Sequence, residues 1–334
     1  MRKKVLVIGL LVLVCSYLIV EITLRYKFGT ACSGKYDIKR IIPADYIDTD
    51  SSTGLFNIHQ GQYFIEHKSG FHFTATHGLN GRSFLNSNNS KRNIYIYGDS
   101  HLYGYGLNDS ATMCYMVSKK YKQMNVINKS IPGQHMGMNY IKFISDSSSF
   151  NNKTDLILFQ FASFDKQRLI LTPLMVHAYQ SLSDKRVWIS YCDTLNGRIE
   201  FKKKQAENWS LLSCYLATSY FYELYNAYTE SESQKDKAKV VAQMLMRKLF
   251  DEVKKQGLNM IVVGHKVNTE DSLWLNNQIE QYPSISYLDI TVRDSDPKYT
   301  LEPFDNHPSY LANEIFAEKI GKAIEYYDNT GKVK

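Results

Sequence analysis

The stretch NIYIYGDS, residues 93–100, decides the fold of this chain. Its first residues form a short apolar run that stops at Gly98, which is the pattern of a strand buried on both faces. Similar runs recur at 126–127, 156–159 and 260–263, and a weaker one lies at 286–289. We therefore predict a core of short buried strands, with Ser100 directly after the first of them.

Helical patterns separate these runs. One covers residues 112–123, and the clearest covers 235–256, where apolar side chains follow helical spacing and Gly257 is placed to end the helix. Strands that alternate with helices predict an α/β fold whose mostly parallel sheet is covered on both faces. The stretch 166–234 is longer than one crossover needs and is rich in Tyr and Trp at 209–228, so we expect a helical, aromatic-rich insertion there.

Composition narrows the function classes. The chain has 334 residues, of which 44% are hydrophobic and 22% are charged, and this excludes a disordered or collagen-like protein. The formal net charge is +7, but three of the positive charges, Arg2, Lys3 and Lys4, flank an apolar run. The rest has no basic block beyond residues 202–204, so we expect no nucleic-acid partner. Gly104-Tyr105-Gly106 is not a phosphate-binding loop, because it lacks the third glycine of a dinucleotide-binding motif and has no Lys-Ser/Thr ending.

The N-terminal segment predicts a membrane helix. Residues 5–24 are mostly apolar and carry no charge except at Glu21, and a helix needs about 20 residues to cross a bilayer. The basic flank favours an N-terminus inside the cell and the remainder outside. We predict a single-pass anchor over 1–28 and an extracytoplasmic domain. A cleaved signal peptide is the alternative, with a small-residue site at 29–31, and a buried core helix is a third interpretation.

Residues 29–90 have the composition of a β-rich extension. Strand candidates lie at 62–65 and 71–74, around a turn at 68–70. The histidines of this region lack the spacing of metal ligands, so we predict ordinary surface or core residues and no metal site. These histidines are His59, His67, His72 and His77.

Four cysteines lie outside the predicted anchor, and they allow three disulfide pairings. Among Cys32, Cys114, Cys192 and Cys214, the nearest plausible pair is Cys192 with Cys214. Free buried thiols are the alternative.

Two distant polar clusters predict nucleophilic catalysis. Ser100 follows a strand and precedes a helix, at the edge where loops and helix N-termini converge in an open α/β sheet. Asp305 and His307 lie two residues apart, before a helix that Ser309 is placed to cap. A neutral imidazole oriented by a carboxylate takes the proton of a serine hydroxyl, so these residues together form a candidate catalytic triad.

These clusters resemble the SGNH (GDSL-like) hydrolases. The first block is Tyr97-Gly98-Asp99-Ser100 followed by 104–109, the middle block is 128–133, and the last is Asp305-Asn306-His307-Pro308. Residues 80–82 and the predicted anchor resemble the anchored bacterial members. The resemblance spans residues 80–327.

The resemblance implies a three-layer α/β/α fold without a metal or organic cofactor. It makes Ser100 the nucleophile, His307 the base and Asp305 the carboxylate that orients it. The backbone N–H groups of Ser100 and Gly133 would bind the oxyanion. Asp99 is expected to close the turn around the serine.

Two positions depart from the family pattern. His101 replaces the usual Leu, a change that we expect a surface turn to tolerate. The family's Asn after the third strand has no counterpart within 159–165, around Phe164. A donor would then come from Asn139, Gln134 or the 166–234 insertion. Asp165 and Asp289 are predicted to cap or turn the chain rather than to catalyse.

The sequence thus predicts an extracytoplasmic serine esterase that forms an acyl-enzyme. Its substrate would be an acylated small molecule or cell-surface glycan, most simply an O-acetyl ester. One alternative is an O-acyltransferase, which would need a multi-spanning membrane partner to deliver the acyl group. The other is a non-catalytic glycan-binding module on the same fold, which the missing Asn favours.

Overall fold

A computed structural model describes residues 2–28, 38–78, 81–82, 92–152, 154–171, 188–205, 232–293 and 295–330. The strands are β1 (Ile38–Ile42), β2 (Ile47–Thr49), β3 (Phe56–Ile58), β4 (Gly61–His67), β5 (His72–Gly78), β6 (Gly81–Arg82), β7 (Arg92–Tyr97), β8 (Met124–Asn128), β9 (Leu156–Phe161), β10 (Trp188–Leu195), β11 (Arg198–Gln205), β12 (Asn259–Gly264), β13 (Ile285–Asp289), β14 (Thr300–Leu301) and β15 (Asp305–Pro308). The helices are α1 (Arg2–Phe28), α2 (Ser100–Tyr103), α3 (Met113–Lys120), α4 (Met136–Asp146), α5 (Glu232–Gln256), α6 (Thr269–Ile279) and α7 (Tyr310–Thr330).

A nine-stranded sheet organises the described residues, in the order β1-β4-β5-β6-β8-β7-β9-β12-β13. The five strands from β8 to β13 run parallel, with Ile94 of β7 paired to Val126 on one side and Leu156 on the other. All six residues of β9 are buried, as the continuous apolar run requires for a strand covered on both faces. This half confirms the predicted parallel sheet.

The N-terminal extension continues the same sheet. Strands β1, β4, β5 and β6 pair antiparallel to one another, and Arg82 of β6 pairs with Asn128 of β8. The sheet is therefore mixed, with an antiparallel half built by the β-rich region. The pairing of β6 with β8 joins the extension to the parallel half of the sheet.

Helices cover both faces of the parallel half and complete the α/β/α fold. On one face, α4, α5 and α6 bury an apolar cluster that includes Phe143, Leu249 and Leu275. On the other, α3 and α7 bury a cluster that includes Val117 and Phe316. Helix α5 ends where predicted, since Gly257 follows it with a left-handed φ of 65°.

Helix α1 stands apart from this core. It is 27 residues long, and its apolar stretch Val7–Tyr26 is only 6% buried. That exposure contradicts the core-helix interpretation. Length and composition fit a membrane span, and a signal sequence meets the same criteria. Arg25 donates to Glu21 one turn away at 2.7 Å, which offsets both charges within the helix.

The insertion is described only in part. Its residues 188–205 form a hairpin of β10 and β11, while the aromatic segment 209–228 lies outside the described residues. Cys192 of this hairpin is a buried free thiol, the alternative that the sequence left open, and Cys214 lies outside the described residues. The Cys192 sulfur lies in the core against Gly137, at the start of α4. Cys114 is likewise a buried free thiol, and Cys32 lies outside the described residues.

Candidate active site

A tight turn presents Ser100. Strand β7 ends at Tyr97, and Asp99 caps α2 by accepting a hydrogen bond from the His101 N–H at 2.8 Å. Gln160 of β9 locks this turn, because its amide donates to Asp99 and accepts from the Asp99 N–H, both at 2.9 Å. A Cβ on Gly98 would lie 2.4 Å from that amide oxygen, so only glycine fits. Asp99 is structural, as predicted.

The three predicted catalytic side chains meet. Ser100 Oγ lies 2.7 Å from Nε2 of His307, although 207 positions separate them in sequence. Nδ1 of His307 is hydrogen-bonded to a carboxylate oxygen of Asp305, which also accepts from the His307 N–H at 2.8 Å. Strand β15 holds both residues, and α7 begins directly after it. The geometry matches a serine–histidine–aspartate triad.

The charge on Asp305 fits its role. Burial opposes ionisation of this carboxyl, but hydrogen bonds and charge from His307 outweigh burial and hold the pKa of Asp305 below its usual value. An ionised Asp305 accepts the proton on Nδ1 of His307. Nε2 is then free to accept from the Ser100 hydroxyl, which is the arrangement that general-base activation requires.

The predicted backbone donors lie at the same cavity. Its volume is about 240 Å³, and Ser100, His307, Asp305 and Gly133 all line it. Gly133 adopts a left-handed φ of 83°, which side chains rarely tolerate, and it follows β8 at the carboxyl edge of the sheet. The structure thus brings the residues assigned to the triad and to the backbone donors to one cavity.

The chain is similar in structure to solved esterases. A psychrotrophic esterase from Pseudoalteromonas sp. aligns with a TM-score of 0.41 and 11% identity, over 71% of this chain and 99% of that protein. A protein from Desulfitobacterium hafniense, described as lipolytic and of the G-D-S-L family, aligns with a TM-score of 0.40 and 12% identity, over 69% of this chain and 98% of that protein. An acetyl xylan esterase from Geobacillus stearothermophilus aligns with a TM-score of 0.38 and 11% identity, over 70% of this chain and 94% of that protein.

No family model and no curated protein matches the sequence. The three TM-scores are below 0.5 and the identities below 25%, so they say nothing about the chemistry of the site. That chemistry follows from the atoms around Ser100.

Two different walls enclose the cavity. The N-terminal extension contributes Tyr46 and the isoleucines Ile38, Ile41 and Ile47, which form an apolar wall. Arg168 and Lys266 line the cavity as well and carry positive charge. The extension therefore shapes the site, a role that the sequence did not reveal.

The two named side-chain candidates for the third oxyanion donor do not line the cavity. The amide of Gln134 donates instead to the Phe56 carbonyl at 3.4 Å, and Asn139 is buried inside α4. From the described part of the 166–234 insertion, Arg168 reaches the cavity. Its guanidinium also lies 3.2 Å from Asp165 and 3.6 Å from Asp99, which hold it by charge.

Other predicted polar residues have structural roles. Asp165 accepts from the Met136 N–H at 2.6 Å and so caps α4 across space. Burial raises the pKa of Asp165 to about 7, against the opposing charge of Arg168. Asp289 accepts from the Thr291 N–H in a turn. Among the described residues, no group of His, Cys, Asp and Glu is arranged to hold a metal ion.

His101 corrects an expectation. It is 8% exposed and lines the cavity, instead of lying on a surface turn. The reason is His265, which follows β12 and places Nε2 2.7 Å from Nδ1 of His101. Sequence reasoning missed both His265 and Gln160. The signals were present, since His265 directly follows an apolar strand and Gln160 interrupts another.

Proposed function

We propose that this chain is a serine ester hydrolase that acts through an acyl-enzyme. The observation that carries the proposal is the continuous contact from Ser100 through His307 to Asp305 inside one cavity. A binding module needs none of these contacts.

The residues assign the steps of the reaction. His307 Nε2 takes the proton of Ser100 as Oγ attacks the acyl carbon, and the carbonyl oxygen becomes an oxyanion held by the Ser100 and Gly133 N–H groups. The tetrahedral intermediate collapses, and the leaving alkoxide takes the proton from His307. Water, deprotonated by the same imidazole, then releases the acyl group and restores Ser100.

The surroundings support an acyl ester close to a membrane surface. The isoleucine wall offers an apolar surface to an acyl group, and helix α1 has the length to hold the domain at a bilayer. We place the site on the extracytoplasmic side, acting on O-acetyl or similar short esters of cell-surface glycans.

Active-site labelling tests the proposal. The full-length chain in detergent is treated with a serine-reactive phosphonate, and the adduct is located by mass spectrometry. We expect it on Ser100, with the label lost in Ser100→Ala. Ser163→Ala is the matched control, because Ser163 also follows a parallel strand but its hydroxyl donates to Asp271. A label elsewhere, or equal labelling of Ser100→Ala, would contradict the mechanism.

Turnover of a short p-nitrophenyl ester distinguishes the alternatives. Ser100→Ala and His307→Ala should each lower kcat by on the order of 10⁴–10⁶-fold, and the double variant should be little worse, because the residues act as a unit. A wild-type protein that labels on Ser100 but does not hydrolyse any short ester would favour a partner-dependent transferase. Failure to label or hydrolyse would favour the binding module.

A further inference from the structure

A second imidazole lies beside the triad. His101 follows Ser100 directly, and its ring centre lies 5.2 Å from that of His307. The ring centre of His101 also lies 5.6 Å from that of Phe164, in the segment where the family's Asn has no counterpart. His101 therefore contacts both the proposed catalytic base and the segment in which the family's amide has no counterpart.

The contact with His265 determines which nitrogen of His101 carries the proton. One proton lies between Nδ1 of His101 and Nε2 of His265, which are 2.7 Å apart. The other nitrogen of His265, Nδ1, is buried and has no hydrogen-bond partner among the described residues. A buried N–H without an acceptor is rarer than a buried acceptor without a donor. His265 therefore keeps its proton on Nε2 and donates it to His101.

Both rings are neutral in this arrangement. Burial lowers the pKa of His101 and of His265 well below the ordinary histidine value, and neighbouring positive charge lowers both further. A neutral His101 that accepts at Nδ1 carries its single proton on Nε2.

That proton faces the cavity. No described residue hydrogen-bonds to Nε2 of His101, and Nε2 is not one of the fully enclosed atoms that lack a partner. Since Nδ1 is turned to His265 and the residue lines the cavity, Nε2–H is the polar end that a bound substrate meets.

We propose that His101 Nε2–H is the third oxyanion donor, and that His265 is a positioning residue that fixes its tautomer. The proposal rests on the hydrolase function proposed above. As Ser100 Oγ attacks, the carbonyl oxygen gains negative charge and accepts from Ser100 N–H, Gly133 N–H and His101 Nε2–H. The serine proton moves to His307 and then to the leaving alkoxide, so His101 donates a hydrogen bond without giving up its proton.

Kinetics of the full-length protein test the donor. Removing one oxyanion donor typically costs on the order of 10²–10³ in kcat, so His101→Leu should lose that much with KM little changed. His101→Leu also installs the family's usual residue at this position. His72→Leu, at an exposed histidine of β5, is the matched control and should retain wild-type kcat. Full activity of a folded His101→Leu would overturn the proposal and leave the triad mechanism standing. An inactive wild type would instead overturn the hydrolase function.

Two variants of His265 distinguish a positioning role from a packing role. His265→Gln can still donate an amide N–H to His101, whereas His265→Leu cannot, so kcat should fall in the Leu variant and recover at least partly in the Gln variant. Equal kcat in both would remove the positioning role.

The tautomer of His101 can be measured directly in the wild-type protein. This measurement tests the proposal even if His101→Leu does not fold. With ¹⁵N-labelled histidine, NMR should show His101 protonated at Nε2 and unprotonated at Nδ1. Its Nε2–H resonance should shift when a phosphonate adduct forms on Ser100. A His101 protonated at Nδ1 would overturn the proposal.

Discussion

At the scale of single residues, the local environment gives residues of the same type different roles. Asp99 accepts from a backbone N–H and from Gln160, and it shapes the turn. Asp305 faces an imidazole and orients it. Likewise His307 contacts the nucleophile, whereas His77 is buried in the extension with Nε2 2.6 Å from the Tyr103 hydroxyl.

His77 should make the fold sensitive to acid. Burial, with the charge of Arg82, lowers the pKa of His77 from 6.5 to about 3. Between these values the unfolded chain binds a proton that the folded chain does not, so the stability contributed by His77 is complete above pH 6.5 and is lost as pH falls. His77→Gln cannot titrate. Its free energy of unfolding, measured by urea titration from pH 7 to 4, should therefore fall less steeply than that of the wild type.

The control for this experiment is His72→Gln, on the same strand but exposed. This variant tests whether the loss of any histidine changes how steeply the free energy of unfolding falls with pH. Parallel stability curves for wild type and His77→Gln would show that His77 does not carry the effect.

At the scale of elements, strand β6 has only two residues but fixes the loop behind the nucleophile. Arg82 is 2% exposed, and its guanidinium packs 4.7 Å from the centre of the Tyr103 ring. It donates to the Asp109 carboxylate and to four backbone carbonyls, those of Thr74, Tyr103, Gly104 and Leu107. The extension thereby ties α2, which begins with Ser100, to the antiparallel half of the sheet.

Loss of Arg82 should destabilise the protein strongly. Breaking a buried charged network typically costs about 3–5 kcal/mol, and lysine cannot reproduce the planar fork of arginine. Both Arg82→Met and Arg82→Lys should therefore lower the free energy of unfolding, measured by urea titration, by that order. Arg92→Lys is the matched control, because Arg92 pairs with Asp328 on the surface, where such pairs contribute about 0–1 kcal/mol. A loss of under about 1 kcal/mol in Arg82→Lys would contradict this role.

At the scale of the whole molecule, one sheet joins the extension to the catalytic strands, and an exposed apolar helix precedes both. The extension supplies the apolar wall of the cavity, so the shape of the cavity depends on strands outside the parallel core. The apolar stretch of helix α1 is 6% buried and is long enough to cross a bilayer.

The orientation of the chain in the membrane can be measured with fused reporters. Because Arg2, Lys3 and Lys4 precede the apolar helix, we expect a C-terminal alkaline phosphatase to be active and a cytoplasmic fluorescent reporter to be dark. Replacing these three residues by Gln leaves Arg25 and Lys27 as the dominant flank and should weaken or invert the result. A fluorescent C-terminal reporter in the unmodified chain would place the site in the cytoplasm.

The sequence by itself determined the features that depend on neighbours along the chain. Apolar runs fixed the buried strands, helical spacing placed α5 and its end at Gly257, and the Asp305–His307 pair after one strand and Ser100 after another predicted the triad. These signals are local because side-chain periodicity reports which face of an element is buried, and because parallel strands bring their carboxyl ends to one edge.

Only the tertiary structure decided which distant residues meet. His101 and His265 are separated by 164 positions, and Asp99 and Gln160 by 61, so no local pattern couples them. The order of the strands in the sheet determines these contacts, and the periodicity of apolar side chains along the sequence does not predict that order. The same holds for the antiparallel extension, whose isoleucines reach the cavity because β6 pairs with β8. Hydrogen bonds between strands are made by the backbone, which is common to all residues, and so the partner is chosen by the packing of the whole fold.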